Sequence, residues 1–138
     1  MAKSIFIDSN IWFSAIYGQG VCSNLFRKIL KSQDKIFINE IVLEEVIKNI
    51  SLKLPKALPL LFSFIKEINP IVLKNPKLKT IKKYQKFAKK HDLPILASTI
   101  EAKCNFFVTG NIKDFNQTLI SKKTHLKILA PADFEKEI

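Results

Sequence analysis

Glycine is scarce in this chain, with three among 138 residues. Tight turns that need a left-handed backbone have little to be built from, which argues against a sheet of short hairpins. Cysteine is scarcer still. Cys22 and Cys104 lie in apolar segments without metal-ligand spacing, so they read as reduced core or near-core thiols, and neither a disulfide scaffold nor a zinc site is indicated. No apolar run reaches the roughly 18–20 residues of a membrane span. The N-terminus lacks the basic region, apolar stretch and small-residue cleavage site of a secretory leader. The expectation is a cytoplasmic chain with no membrane partner. Acids are the most informative shortage: 12 Asp and Glu face 23 Lys and Arg, a net charge of +11. A field of that sign concentrates polyanions and supplies the sequence-independent part of nucleic-acid affinity.

What is present describes a globular domain. Hydrophobic residues make up 47% and mean hydropathy is +0.08, and the length suits one domain with a normal core. Short apolar runs at residues 4–8 (SIFID), 35–39 (KIFIN), 70–74 (PIVLK), 105–110 (NFFVTG) and 125–130 (HLKILA) read as strands. Between them, helical spacing marks 21–32, 40–51 with Asn39 as N-cap, 54–68, the Lys-rich segment 74–91 and 92–104 with Asp92 as N-cap. In the Lys-rich segment Leu78, Ile81, Tyr84, Phe87 and Ala88 would form the inner stripe. Strands alternating with helices, and no hairpin signal between strands, predict an α/β domain: a three-layer α/β/α sandwich around a mainly parallel sheet. In such sheets the working crevice lies at the carboxyl ends of the strands.

Four of the rare acids fall at that edge or on helices that feed it. Asp8 leaves the first strand in IFIDSN, Glu45 sits on the helix after the second, Asp92 opens the helix before the fourth, and Asp114 follows the fourth in VTGNIKDF. Each also has an ordinary reading. Asp8 or Asp92 would serve as a helix cap, Glu45 would pair with Lys48, and Asp114 would close a turn. Helical geometry puts Glu45 between Ile41 and Val42 on the apolar side and turns Glu44 to solvent. Converging carboxylates repel unless a cation joins them. All-oxygen ligands suit Mg²⁺ or Mn²⁺, which would polarise a phosphodiester and activate water.

These blocks resemble the PIN-domain family of VapC-type toxins and related RNA nucleases, nearly end to end. IFIDSNIWFSA resembles its opening strand and Asp-Ser-Asn, NEIVLEEVIKNI its helix acid, and HDLPILASTIEAKCNFFVTGNIKDF its closing block. The resemblance implies a single nuclease domain over residues 1–138, with Asp8, Glu45, Asp92 and Asp114 as catalytic metal ligands. Asn10, Thr109 and Asn111 would support them, Asn10 by positioning Asp8 or a water. Many members carry Asp where this chain has Asn111; the Thr-Gly-Asn-x-x-Asp-Phe variant assigns that place to Asp114. It further implies a Mg²⁺-dependent endoribonuclease acting on single-stranded RNA, a small antitoxin protein as partner, and in many members a homodimer. Three other readings stay open. These are a basic RNA-binding module with a decayed site, a haloacid-dehalogenase-type phosphatase, which needs a second Asp where Asn10 stands, and a metal-independent ribonuclease using His91 and His125.

Overall fold

The computed structural model describes residues 2–18 and 20–138. Five strands form one sheet: β1 (Ser4–Ile7), β2 (Lys35–Asn39), β3 (Ile71–Leu73), β4 (Phe106–Val108) and β5 (Lys127–Leu129). Their order is β3-β2-β1-β4-β5 and every pairing is parallel. The central strands are apolar on both faces, as a sheet covered on both sides requires. Ile5, Phe6 and Ile7 of β1 and Phe106, Phe107 and Val108 of β4 are all buried.

The helices are α1 (Ser9–Tyr17), α2 (Val21–Lys31), α3 (Glu40–Lys53), α4 (Leu58–Ile68), α5 (Leu78–Lys83), α6 (Leu93–Glu101), α7 (Gln117–Lys123) and α8 (Pro131–Glu135), with short 3₁₀ turns at Pro55–Ala57, Lys90–Asp92 and Ile112–Asp114. With this strand order, the right-handed rule for parallel crossovers assigns the connections from β1 toward β3 to one face and the return toward β5 to the other. The contacts agree: α1 packs on α2 and α3, α3 on α4 and α2 on α8, while α5 packs on α6. Trp12 anchors the first layer. It is fully buried, donates its indole N–H to the Ile7 carbonyl at 3.1 Å, and packs against Phe26 and Phe64 with ring centroids 4.7 and 5.9 Å away.

Several elements differ from the sequence expectation. The Lys-rich segment is helical only over Leu78–Lys83, and Leu78 is exposed rather than part of an inner stripe. Lysines at i, i+3 and i+4 spacing repel along a helix. The chain instead turns at Tyr84, so that Ala88 bridges Phe115. α1, α7 and α8 have no counterpart among the helices that the apolar spacing marks. Asp92 occupies the N-cap position of α6 without capping it: its backbone is already helical and its side chain accepts no cap bond. The preceding 3₁₀ turn and Pro94 remove the geometry and one of the donors a cap needs. Asn39, by contrast, caps α3, accepting from the Val42 amide at 2.9 Å.

Replacing Trp12 by Phe removes the indole hydrogen bond to the Ile7 carbonyl and part of the ring area packed against Phe26 and Phe64. The Trp12→Phe variant is expected to lose about 1–3 kcal/mol, read as a lower urea midpoint. Leu52→Ala, at a position 72% exposed, should stay within about 0.5 kcal/mol of the parent. Equal midpoints for Trp12→Phe and the parent would remove Trp12 as the anchor of this layer.

Candidate active site

All five strands point the same way, so their carboxyl ends share one rim. Strand order reverses between β1 and β4, and the crevice opens there. Asp8 stands at the end of β1, where it also N-caps α1. Its Oδ1 accepts from the Ser9 amide at 2.8 Å and its Oδ2 from the Thr109 hydroxyl at 2.8 Å. Thr109 follows β4 and is fully buried, and its Oγ1 also accepts from the Asn111 amide at 3.1 Å. Ser9 serves two acids at once, since its hydroxyl donates to Glu45 Oε2 at 2.8 Å. Glu45 is half-buried while Glu44 is exposed. Glu45 thus faces Ser9 rather than pairing with Lys48.

Asp92 and Asp114 form the other half. Together with His91 they can each offer a ligand atom within 4.8 Å of the others. Asp114 lies at the end of the 3₁₀ turn after β4, with its Oδ1 3.0 Å from the Lys89 ammonium. His91 Nε2 is 3.2 Å from Asp92 Oδ2 but poorly aligned, and that buried oxygen has no hydrogen-bond partner. Asn10 Oδ1 is likewise buried and unpaired. The hydrogen bonds to the Asp8 side chain come from Ser9 and Thr109, and the Asn10 oxygen is left to face a water. The Asn111 side chain is exposed, and only its backbone takes part in the network. His125 lines a separate groove with Lys103 and Asn105, so no contact joins it to His91. Lys89, His91 and Ser9 were not singled out as members of this acidic set; adjacency to Asp8 and Asp92 was the available signal for Ser9 and His91.

The conserved-domain signature of the PIN domain matches residues 5–118. The chain belongs to the PIN-domain family. No curated protein matches it in sequence. In structure it is similar to VapBC2 from Rickettsia felis bound to a DNA fragment from its promoter, with a TM-score of 0.63 and 18% identity over 91% of this chain and 98% of that one. It is also similar to VapBC-1 from nontypeable Haemophilus influenzae, with a TM-score of 0.62 and 13% identity over 91% and 97% of the two chains. At these identities the likeness is one of fold. Membership in the PIN family sets aside the haloacid-dehalogenase-type reading.

The electrostatics of this PIN domain follow from crowding. Burial pushes the Asp8 carboxyl up to about 6 from 3.8; nearby Glu45 and Asp92 add to the rise, while the Thr109 and Ser9 hydrogen bonds oppose it. Asp92 is also raised, first by burial and then by Asp114 and Glu45, against the pull of His91 and Lys89. Asp8 thus senses Glu45 and Asp92, and Asp92 senses Asp114 and Glu45. The donor set suits a hard divalent cation, because carboxylate oxygens dominate it and one buried oxygen has no partner. An adjacent imidazole is better tolerated by Mn²⁺ than by Mg²⁺.

Two outcomes are expected. The raised folded value of Asp8 means that its stabilising contribution is complete below about pH 4 and is lost as pH rises through about 6. Asp8→Asn should therefore gain on the parent across that window in EDTA, by on the order of 3 kcal/mol at neutral pH. Thermal melts at pH 4 and pH 7.5 measure this, and a difference that does not change with pH would refute it. Gly110 sets a second constraint. A Cβ added there would sit 3.1 Å from Asn10 Nδ2, and the backbone φ is not left-handed, so the demand on this position is space, and Asn10 would have to give way slightly to a side chain. Gly110→Ala should crowd Asn10, and combining it with Asn10→Ala should recover stability in a double-mutant cycle. Strict additivity would show that the two do not touch.

Proposed function

We propose that this protein is a divalent-metal-dependent endoribonuclease that cuts single-stranded RNA, and that it is the toxin half of a toxin–antitoxin pair. The observation that supports the reading is the pair Asp8 and Glu45, joined through Ser9, together with the Asp92–Asp114 pair, whose ligand atoms lie within 4.8 Å of each other, in a chain whose net charge is +11. Asp8 and Asp92, raised by burial and by neighbouring acids, are costly to an apoprotein, and a cation would remove that cost. Mg²⁺ or Mn²⁺, when bound, would supply the neutralising charge and Lewis-acid polarisation of a phosphodiester.

The chain's own residues would do the rest. Ser9 and Thr109 hold Asp8 in a fixed orientation, and the Ser9 hydroxyl does the same for Glu45. Lys89 neutralises Asp114, and its exposed ammonium would also be able to meet a phosphate. The unpaired Asn10 oxygen can accept a hydrogen bond from an attacking water or from the substrate and so orient it. The basic field brings the polyanion to a pocket that would otherwise repel it. A small antitoxin protein is the proposed partner because both similar structures are VapBC structures. A homodimer and a cytoplasmic setting belong to the same reading. Among the described residues, no helix is long and apolar enough to cross a membrane.

Incubation with mixed-sequence RNA tests the proposal directly. Cleavage should require Mg²⁺ or Mn²⁺ and stop with EDTA; cleavage that persists in EDTA would sink it. Asp8→Asn and Asp114→Asn should each lower the rate by orders of magnitude. Asn111→Ala, which removes only an exposed amide, should cost about tenfold at most. Should Asn111→Ala be inactive and Asp114→Asn silent, Asn111 rather than Asp114 fills the fourth position.

A further inference from the structure

Segment 82–87 and the end of α7 enclose a groove of about 620 Å³, with Lys82, Lys83, Lys86 and Lys123 on its walls and Phe87 and Leu119 among its apolar surfaces. No carboxylate lines it. Among the described residues none of the four lysines has an acid within ion-pair distance. The nearest acid on the adjoining helix, Glu101, accepts the Tyr84 hydroxyl. Lys83 lies against the Tyr84 ring, 5.5 Å from its centroid, leaving Lys82, Lys86 and Lys123 as the freely directed charges.

Four ammonium groups in one concavity repel unless an anion is shared among them, and a repeating anion satisfies them best. The groove also adjoins the acidic crevice along the chain. Phe87 lines it and accepts at its carbonyl from the Asn116 amide at 2.7 Å. Two residues on, about 7 Å of extended chain, the Lys89 ammonium meets Asp114. A strand whose scissile phosphate lay among the acids would have its flanking phosphates beside Lys86.

We propose that this groove is the track for the single-stranded RNA flanking the cut site, gripped through successive phosphates by Lys82, Lys86 and Lys123. The proposal rests on the nuclease reading for its substrate and is independent of it in its test. An acidic polypeptide is the competing occupant. RNA is favoured because Phe87 of the groove is hydrogen-bonded to Asn116, two residues from Asp114, and the wall is lysine-rich, whereas a docked helix would seek a broad apolar floor.

Binding of a labelled oligouridine of about twenty nucleotides, measured by anisotropy in EDTA, separates the groove from the chemistry. The triple variant Lys82→Gln, Lys86→Gln, Lys123→Gln should bind at least about tenfold more weakly, and its slope of log affinity on log salt should flatten by about 2. The control triple Lys31→Gln, Lys56→Gln, Lys66→Gln removes equal charge from positions outside the groove and should change both far less. Equal losses in the two triples would overturn the track in favour of a diffuse field. Poly-glutamate of matched charge that binds the parent as tightly as RNA, and is equally weakened by the groove triple, would overturn RNA as the occupant. A parent that binds RNA through the groove yet cuts none in Mg²⁺ or Mn²⁺ would uphold the track and remove the nuclease reading. A parent that cuts while both triples bind alike would do the reverse.

Discussion

The hydrogen bond from the Thr109 hydroxyl to Asp8 is the contact on which the crevice depends. It joins residues 101 positions apart, at the ends of the two strands between which the sheet changes direction. Parallel pairing of Ile7 with Val108 sets it up, and the Asp8 amide extends the ladder by donating to the Val108 carbonyl at 3.0 Å. A slip of one residue would turn Thr109 to the other face. The apolar burial of β1 and β4 fixes the register, and the register fixes the acid. Asp8 is thereby held at the cost of its own charge, in a place where water solvates it poorly.

That cost explains the cations around the rim. Like charges about 5 Å apart repel by roughly 3 kcal/mol at an effective dielectric near 20, and Asp92 and Asp114 have ligand atoms within 4.8 Å. Lys89 offsets part of this, yet its side chain is 64% exposed, so the pair contributes at most about 1 kcal/mol. Hydrogen bonds hold Asp8 and Glu45 while an exposed lysine balances Asp114. The first half of the set is rigidly oriented and the second loosely neutralised. Such a division suits a site that fixes some ligands and exchanges the partner of another.

Much of the fold was legible because its signals are local. All five strands, α2, α3 with its Asn39 cap, and the 54–68 region follow from apolar runs and turn residues. The Lys-rich segment was misjudged because apolar spacing alone ignores charge: its inner stripe is compatible with a long helix, but lysine repulsion and the docking of Ala88 on Phe115 favour a break after Lys83. The acids were visible as rare residues at strand ends. Their partners were not, because Ser9–Glu45 and Lys89–Asp114 span 36 and 25 positions and depend on how helices tilt. The buried Asn39–Ser98 bond, which ties the end of β2 to α6, is of the same kind: each residue looks ordinary until the fold joins them.

The shortage of glycine has a structural counterpart in where the three glycines stand. Gly18 caps the end of α1 and Gly20 the start of α2, and Gly20 has φ of 141°, a conformation costly to a side chain. Gly110 has no such conformational demand. It lies between Thr109 and Asn111 because the Asn10 amide approaches to a distance that any Cβ would crowd. In a chain that otherwise makes its turns without glycine, this one is explained by the close approach of two loops, one after β1 and one after β4. The same strand pair that positions Asp8 therefore also sets the space available to Asn10, so the charge and the free acceptor of the crevice trace to one register.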